Sequence, residues 1–111
     1  MASTNTANVR RLRMVRYKVK ADRAAENEKF IANVFEQLQR EKPSGLRYAS
    51  FKLEDGLSFM HIVSYDAADG RNPLTELSAF KAFVAGVRDR CDEPPVTVEL
   101  SEIGSYGVFG K

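Results

Sequence analysis

The order in which two apolar periodicities alternate is the feature that most restricts how this chain folds. Four segments alternate apolar and polar residues, which is typical of half-buried β-strands. Two longer segments repeat apolar residues every three or four positions, which predicts amphipathic helices. In chain order, the predicted elements are a strand at 12–19, a helix at 22–41, strands at 46–53 and 57–65, a helix at 78–90 and a strand at 96–103.

This βαββαβ order predicts a ferredoxin-like α+β fold. With short connections and right-handed crossovers, the simplest arrangement is a four-stranded antiparallel sheet with both helices on one face. The length of 111 residues suits one compact domain, and 43% hydrophobic residues are enough for one core. We expect a disordered N-terminal tail at 1–11 and a single domain over 12–111.

The composition excludes several kinds of site. With one histidine and one cysteine, the chain can form neither an internal disulfide nor a multi-histidine metal site, so no metal is predicted. The usual glycine-rich nucleotide loops and the serine-hydrolase GxSxG motif are absent from the sequence. No apolar run approaches the roughly 20 residues that span a bilayer, and no signal peptide is visible, which predicts a cytoplasmic protein without membrane contact.

The Asp55-Gly56 pair predicts a tight hairpin turn between the second and third strands. If the turn is centred there, Ser50 lies opposite His61, and successive side chains alternate between two faces. The set that contains Phe51 is mostly apolar and is predicted to face the helices, whereas the other set mixes rings and hydroxyls and is predicted to face away. With residues of the outer strands, this open face is predicted to include Arg16, Tyr48, Ser50, Phe59, His61, Val63 and Glu99.

An open face of this composition predicts a partner. It is too apolar to lie bare in water and too polar to be an ordinary core. A second copy of the chain is the expected partner, because two-fold homodimers are the commonest assemblies. Two such sheets packed face to face would enclose a pocket lined by these mixed side chains.

Several segments resemble the antibiotic biosynthesis monooxygenase-like family of the dimeric α+β barrel superfamily. They are VRYKVKADRAAENEKF, the hairpin GLRYASFKLEDGLSFMHIVSY, NPLTELSAFKAFVAGVRDRC with its SAFKAF helix start, and PPVTVELSEIGSY, which together lie within about residues 12–104. The resemblance implies a homodimer with a ligand-sized cavity beside each sheet. Active relatives oxidise aromatic polyketides without metal or flavin, or bind and degrade haem. This sequence has no tryptophan and no histidine on a predicted helix, which argues against haem.

The resemblance therefore implies a small-molecule-binding homodimer that needs no cofactor and acts as a monooxygenase-like protein on an aromatic or polyketide-like ligand. His61 is the candidate catalytic residue, because an imidazole with an ordinary pKa near 6.5 can shuttle protons at neutral pH. Ser50 and Tyr48 are predicted to hydrogen-bond a phenol or carbonyl of the ligand, and Phe59 to stack on it. The alternative is a non-catalytic dimeric scaffold or binding protein, in which these residues only build the interface.

Charged residues carry two further interpretations. Arg16 and Glu99, both candidate ligand-binding residues, lie on neighbouring predicted strands. They are expected to form a buried ion pair, or Arg16 is expected to hold a carboxylate or enolate of the ligand. Residues 1–20 carry six basic groups and no acid, whereas 21–111 carry 11 basic and 15 acidic groups. A basic arm and the segment GLSFMH would fit an RNA-binding module. Such a module needs a basic residue just before the glycine of this segment, and Asp55 stands at that position, so nucleic acid is not the expected partner.

Overall fold

The computed structural model describes residues 10–66 and 71–108 and has the predicted βαββαβ order. Its elements are β1 (Arg10–Val19), α1 (Ala24–Glu41), β2 (Leu46–Lys52), β3 (Ser58–Asp66), α2 (Ser78–Arg90) and β4 (Cys91–Glu99), with single 3₁₀ turns at Ala21–Arg23 and Pro73–Glu76. The strands form one antiparallel sheet in the order β2-β3-β1-β4, and both helices pack on the same face of it. This arrangement confirms the predicted ferredoxin-like fold.

The two ends of the described chain differ from the predicted limits. β1 begins at Arg10, so Arg10 and Arg11 belong to the sheet rather than to the predicted tail, whose other residues, 1–9, lie outside the described residues. After β4 the chain runs on without regular structure. Ile103 and Tyr106 there are 97% and 99% exposed, so neither packs on the rest of the described chain.

The hairpin between β2 and β3 has the predicted register. Ser50 lies opposite His61, and every other pair of the ladder follows the same alignment. The turn is held by Asp55, whose carboxylate accepts hydrogen bonds from the backbone N–H and the hydroxyl of Ser58 at 2.8 and 2.7 Å. Gly56 adopts a φ of 75°, a left-handed conformation that glycine takes without steric penalty. The local turn chemistry therefore fixes which residues face each other.

The assignment of the two hairpin faces to helix and solvent was wrong. The face with Phe59 and His61 lies beneath the helices, and the face with Phe51 and Ile62 is the helix-free side. The pairing of β1 with β3 explains the reversal, because Tyr17, which faces the helices, lies opposite Phe59. The rings of Tyr17, Phe59 and His61 pack between the sheet and the helices, and Phe51 and Ile62 are left on the other side.

β4 occupies Cys91–Glu99 rather than the predicted 96–103, and it follows α2 without a loop. Pro94 and Pro95 have no N–H to donate, and β4 pairs with β1 through two register shifts in this region. Glu99, which was predicted on the open face, lies on the helix-covered face, where it pairs with Arg13. Val96 and Val98 lie on the helix-free face.

The core lies between the sheet and the helices and is built from both. Val34 of α1, together with Phe83 and Val87 of α2, is buried against Tyr17 and Val19 of β1. These positions lie on one side of each helix, as the helical spacing predicts. Neither helix in the described ranges is long and apolar enough to span a bilayer.

Candidate functional site

A cavity of about 360 Å³ lies between the sheet and α2, beside the turn Pro73–Glu76. Most of its wall is apolar, and rings from three strands and one helix reach it. The ring-bearing residues of the wall are Tyr17, Tyr48, His61, Phe80 and Phe83. A cavity of this size and lining is typical of a site for a small, largely apolar ligand.

His61 sits at the wall of this cavity and is 4% exposed. Its Nε2 atom lies 2.8 Å from the hydroxyl of Tyr17. Its Nδ1 atom lies 2.8 Å from the hydroxyl of Tyr48 and 2.7 Å from that of Ser50. The rings of Tyr17 and His61 stack with centroids 5.3 Å apart. Both nitrogens of the imidazole are therefore hydrogen-bonded inside the subunit.

The hydrogen-bond chain continues from Tyr17 to a buried arginine at the end of α2. The Asn27 amide donates to the Tyr17 hydroxyl at 2.9 Å, and Arg90 Nε donates to the Asn27 carbonyl oxygen at 3.1 Å. Arg90 is 1% exposed and also donates to the backbone carbonyl of Phe83 at 3.0 Å. Its guanidinium carbon lies 4.5 Å from the ring centroid of Phe30. An amide, a carbonyl and aromatic faces thus replace the carboxylate that a buried arginine usually has.

Burial sets the protonation states of these groups. It lowers the pKa of His61 to about 4, because a charged imidazole would lose its hydration there. Burial raises the pKa of Tyr48 to about 12, and it raises the pKa of Tyr17 even further. At neutral pH the imidazole and both phenols are therefore uncharged, and they act as hydrogen-bonding groups.

The structure divides the predicted site residues into two groups. Tyr48, Ser50 and His61 lie within hydrogen-bond distance of one another on the face opposite to the one predicted, and Tyr48 and His61 line the cavity. Phe59 is buried against Tyr17, with ring centroids 5.6 Å apart. It belongs to the core beside the cavity.

The predicted Arg16–Glu99 pair does not form. Arg16 is exposed on the helix-free face, where it lies opposite Val96 of β4. Glu99 lies on the other face and binds Arg11 at 2.9 Å and also Arg13. The two residues diverge because the register between β1 and β4 puts them on opposite sides of the sheet.

Three members of the hydrogen-bond chain were missed from the sequence: Tyr17, Asn27 and Arg90. Tyr17 was assigned only to the core. Asn27 precedes Ile31 by four positions, which puts a polar amide on the apolar side of α1. A polar residue at such a position was a signal of a buried hydrogen-bond network.

The described part of the chain contains no cluster of the usual metal ligands. Across residues 10–66 and 71–108, histidine, cysteine and carboxylate side chains do not gather in any group that could hold one. The polar groups at the cavity are hydroxyls, an amide, the guanidinium groups of Arg13 and Arg88, and an imidazole already bonded at both nitrogens. They are suited to hydrogen-bonding an organic ligand.

The fold and the cavity together define an α+β protein of ferredoxin-like topology with an internal pocket between sheet and helix. No family model matches the chain, and no curated protein matches it either. Many solved structures do share its fold.

A candidate antibiotic biosynthesis monooxygenase from Nitrosomonas europaea superposes with a TM-score of 0.70 at 19% identity, over 90% of this chain and 96% of that one. A protein of unknown function from the same organism gives 0.67 at 18% identity, over 89% and 95%. A mutant form of SnoaB, a cofactor-independent oxygenase from Streptomyces nogalater, gives 0.64 at 15% identity, over 86% and 95%. The chain therefore has the fold of proteins named antibiotic biosynthesis monooxygenases, as the resemblance of its segments implied.

Proposed function

We propose that this protein binds a small aromatic or polyketide-like ligand in the cavity beneath α2 and oxidises it without a cofactor, in the manner of a monooxygenase. The observation that carries the proposal is the cavity itself. It is lined with rings and has the hydrogen-bonded imidazole of His61 at its wall. The likeness to SnoaB, a protein named as a cofactor-independent oxygenase, supports the same chemistry.

In this reaction the ligand itself supplies the electrons that reduce O₂, so no cofactor is needed. An aromatic ketone with an acidic methylene, such as anthrone, loses a proton to water and becomes an enolate. The enolate transfers an electron to O₂, and the two radicals combine to a peroxide anion, which takes a proton back from water to become a hydroperoxide. Loss of water then leaves a second carbonyl, so that anthrone and O₂ give anthraquinone and water. The role we propose for Tyr48 is to donate a hydrogen bond to the enolate oxygen.

His61 is better suited to hold Tyr48 than to take the proton. A pKa of about 4 makes the imidazole a weak base at neutral pH, and both of its nitrogens are already bonded. The same observation favours the second candidate function, a ligand-binding protein without catalysis. Phe59 is buried, so it offers no surface on which an RNA base would stack.

We also propose that the protein is a cytoplasmic homodimer in which the helix-free face of one sheet packs on that of a second copy. This face presents aliphatic and methionine side chains and the ring of Phe51, with Arg16 exposed among them, and Val96 on it is 60% exposed. An apolar face of this kind is unfavourable in water unless it is covered. Its residues include Leu12, Met14, Ala49, Met60, Ile62 and Val98.

Anthrone oxidation tests the catalytic proposal directly. In air-saturated buffer without metal or flavin, the protein is expected to raise O₂ uptake and anthraquinone formation above the rate in buffer alone. Tyr48→Phe should remove most of this acceleration, because it removes the hydrogen bond to the enolate oxygen. Tyr65→Phe is the matched control, since Tyr65 is a buried phenol outside the cavity wall.

The outcomes separate the candidate functions. Thermal stabilisation by anthrone without O₂ uptake would leave the ligand-binding function and eliminate the oxidation. If anthrone and related aromatic ketones neither stabilise the protein nor cause O₂ uptake, the proposal as a whole is contradicted.

A further inference from the structure

We infer that Arg90 is a positioning residue that orients every hydrogen bond around His61, so that the hydroxyl of Tyr48 points a free hydrogen into the cavity. The cavity would then select ligands that carry an acceptor oxygen. The statement about ligands rests on the proposed function, whereas the statement about hydrogen-bond direction concerns the empty protein alone.

Arg90 fixes the direction of the first two hydrogen bonds. A guanidinium can only donate, so the atom of Asn27 that faces it must be the carbonyl oxygen. The amide nitrogen of Asn27 then faces Tyr17 and donates to its oxygen. The hydroxyl hydrogen of Tyr17 is left to bond the Nε2 atom of His61, 2.8 Å away.

This direction determines the tautomer of His61. An uncharged imidazole carries one hydrogen, and a nitrogen that accepts a hydrogen bond cannot carry it. Because Nε2 accepts from Tyr17, the hydrogen of His61 is on Nδ1. Nδ1 therefore donates to the hydroxyl oxygen of Ser50 or of Tyr48, which lie 2.7 and 2.8 Å from it.

One hydroxyl hydrogen is then left over. Three groups meet here, Nδ1 of His61 and the hydroxyls of Ser50 and Tyr48, and each carries one hydrogen. Because Nδ1 now donates and cannot accept, only two hydrogen bonds can form among the three groups. The hydroxyls of Ser50 and Tyr48 also contact each other. Because Ser50 does not line the cavity, its hydroxyl donates within this cluster, to the oxygen of Tyr48. The spare hydrogen is thus that of Tyr48. Tyr48, and not Ser50, lines the cavity.

A spare donor in an apolar cavity has a consequence for ligand choice. A ligand with a carbonyl oxygen can accept the hydrogen bond, whereas a hydrocarbon of the same shape leaves the phenol without a partner. We expect the cavity to prefer the oxygen-bearing ligand by about five- to tenfold in Kd, which corresponds to one ordinary buried hydrogen bond.

The tautomer is tested by ¹⁵N NMR on the ligand-free protein. His61 is the single histidine of the chain, so its two ring nitrogens are the ones observed. In the native protein Nδ1 is expected to resonate as a protonated nitrogen and Nε2 as an unprotonated one. Asn27→Asp replaces the amide by an isosteric carboxylate that still accepts from Arg90, but accepts from Tyr17 as well. The chain should then reverse, and the hydrogen should move to Nε2.

Two NMR results would overturn the inference: a native protein with the hydrogen on Nε2, or an Asn27→Asp protein whose tautomer is unchanged. If Asn27→Asp does not fold, Tyr17→Phe removes the donor to Nε2 instead, and a mixture of tautomers is expected. A pure Nδ1–H tautomer in Tyr17→Phe would contradict the role of the chain. Tyr65→Phe is the control and should leave both resonances in place.

The ligand preference is tested separately with 1-tetralone and tetralin, which differ by one carbonyl group. The native protein should bind 1-tetralone about five- to tenfold more tightly, and Tyr48→Phe should bind both equally. Equal binding by the native protein would refute the spare donor. Binding of neither compound, with the Nδ1–H tautomer present, would contradict the proposed function and leave the hydrogen-bond direction intact.

Discussion

The two faces of the sheet show how one strand pattern serves two purposes. The face beneath the helices carries rings and polar groups whose hydrogen bonds are completed inside the subunit, as with Tyr17, Ser50 and His61. The opposite face carries Met14 and Ile62 at the matching positions of the same strands. A polar group can be buried in the first face because it has partners there, whereas the charged residues of the second face, such as Arg16, remain exposed beside its apolar side chains. This difference is the basis of our proposal that the first face binds a ligand and the second a further copy of the chain.

The largest effect is expected from a charge on the helix-free face. Ile62→Asp would place a carboxylate in the proposed dimer interface without a partner, which should weaken the dimer by about 3 kcal/mol or more, roughly 100-fold in Kd. Sedimentation at micromolar concentration should show a dimer for the native protein and a monomer for the variant. Ala32→Asp, at an exposed position of α1, is the control and should stay dimeric. A native protein that sediments as a monomer would refute the division between the faces.

A large effect is also expected beneath α2. Phe83→Ala removes a buried ring that packs on both Tyr17 and His61, and should lower the free energy of unfolding by about 3–5 kcal/mol. Urea unfolding at a fixed protein concentration measures this loss. Lys81→Ala, on an exposed position of the same helix, should change stability by less than about 0.5 kcal/mol. Equal losses for the two variants would mean that this face is not the core.

Lowering the pH should destabilise the protein through His61, which is buried on the helix-covered face. Its pKa is about 4 in the native protein and near 6.5 in an unfolded chain, so the unfolded chain binds more protons between these values. Stability should therefore fall as the pH drops through this window, with a contribution of about 2 kcal/mol between pH 7 and pH 4.5. Other groups also titrate there, and the contribution of His61 is obtained as the difference from His61→Gln. An unchanged pH dependence in that variant would contradict the burial of an uncharged imidazole.

The sequence predicted what depends on local spacing. The βαββαβ order follows from the periodicities, and the register of Ser50 against His61 follows from the turn at Asp55-Gly56. The same register places Tyr48 next to Ser50 and His61 on one face of the sheet. These relations hold between neighbouring segments, and short-range turn geometry and alternation determine them.

The parts that were predicted wrongly depend on contacts between distant segments. Alternation groups Phe59 with His61, but it does not say which group meets the helices when both are partly apolar. That choice is made by the pairing of β1 with β3, where Tyr17 lies opposite Phe59. Arg90 likewise meets Asn27 across 63 residues, through the packing of α2 on α1. Sequence spacing alone carries no information on such a contact.

The central claim is that the ligand binds at the helix-covered face of the sheet. The most direct measurement is an NMR titration with 1-tetralone that follows side-chain resonances on both sides of the sheet. The account predicts shifts and ligand contacts at His61, Phe83 and Leu74, which line the cavity, and none at Met14 or Ile62. Contacts confined to Met14 and Ile62 would contradict it, because the ligand would then occupy the face that we assign to the second subunit.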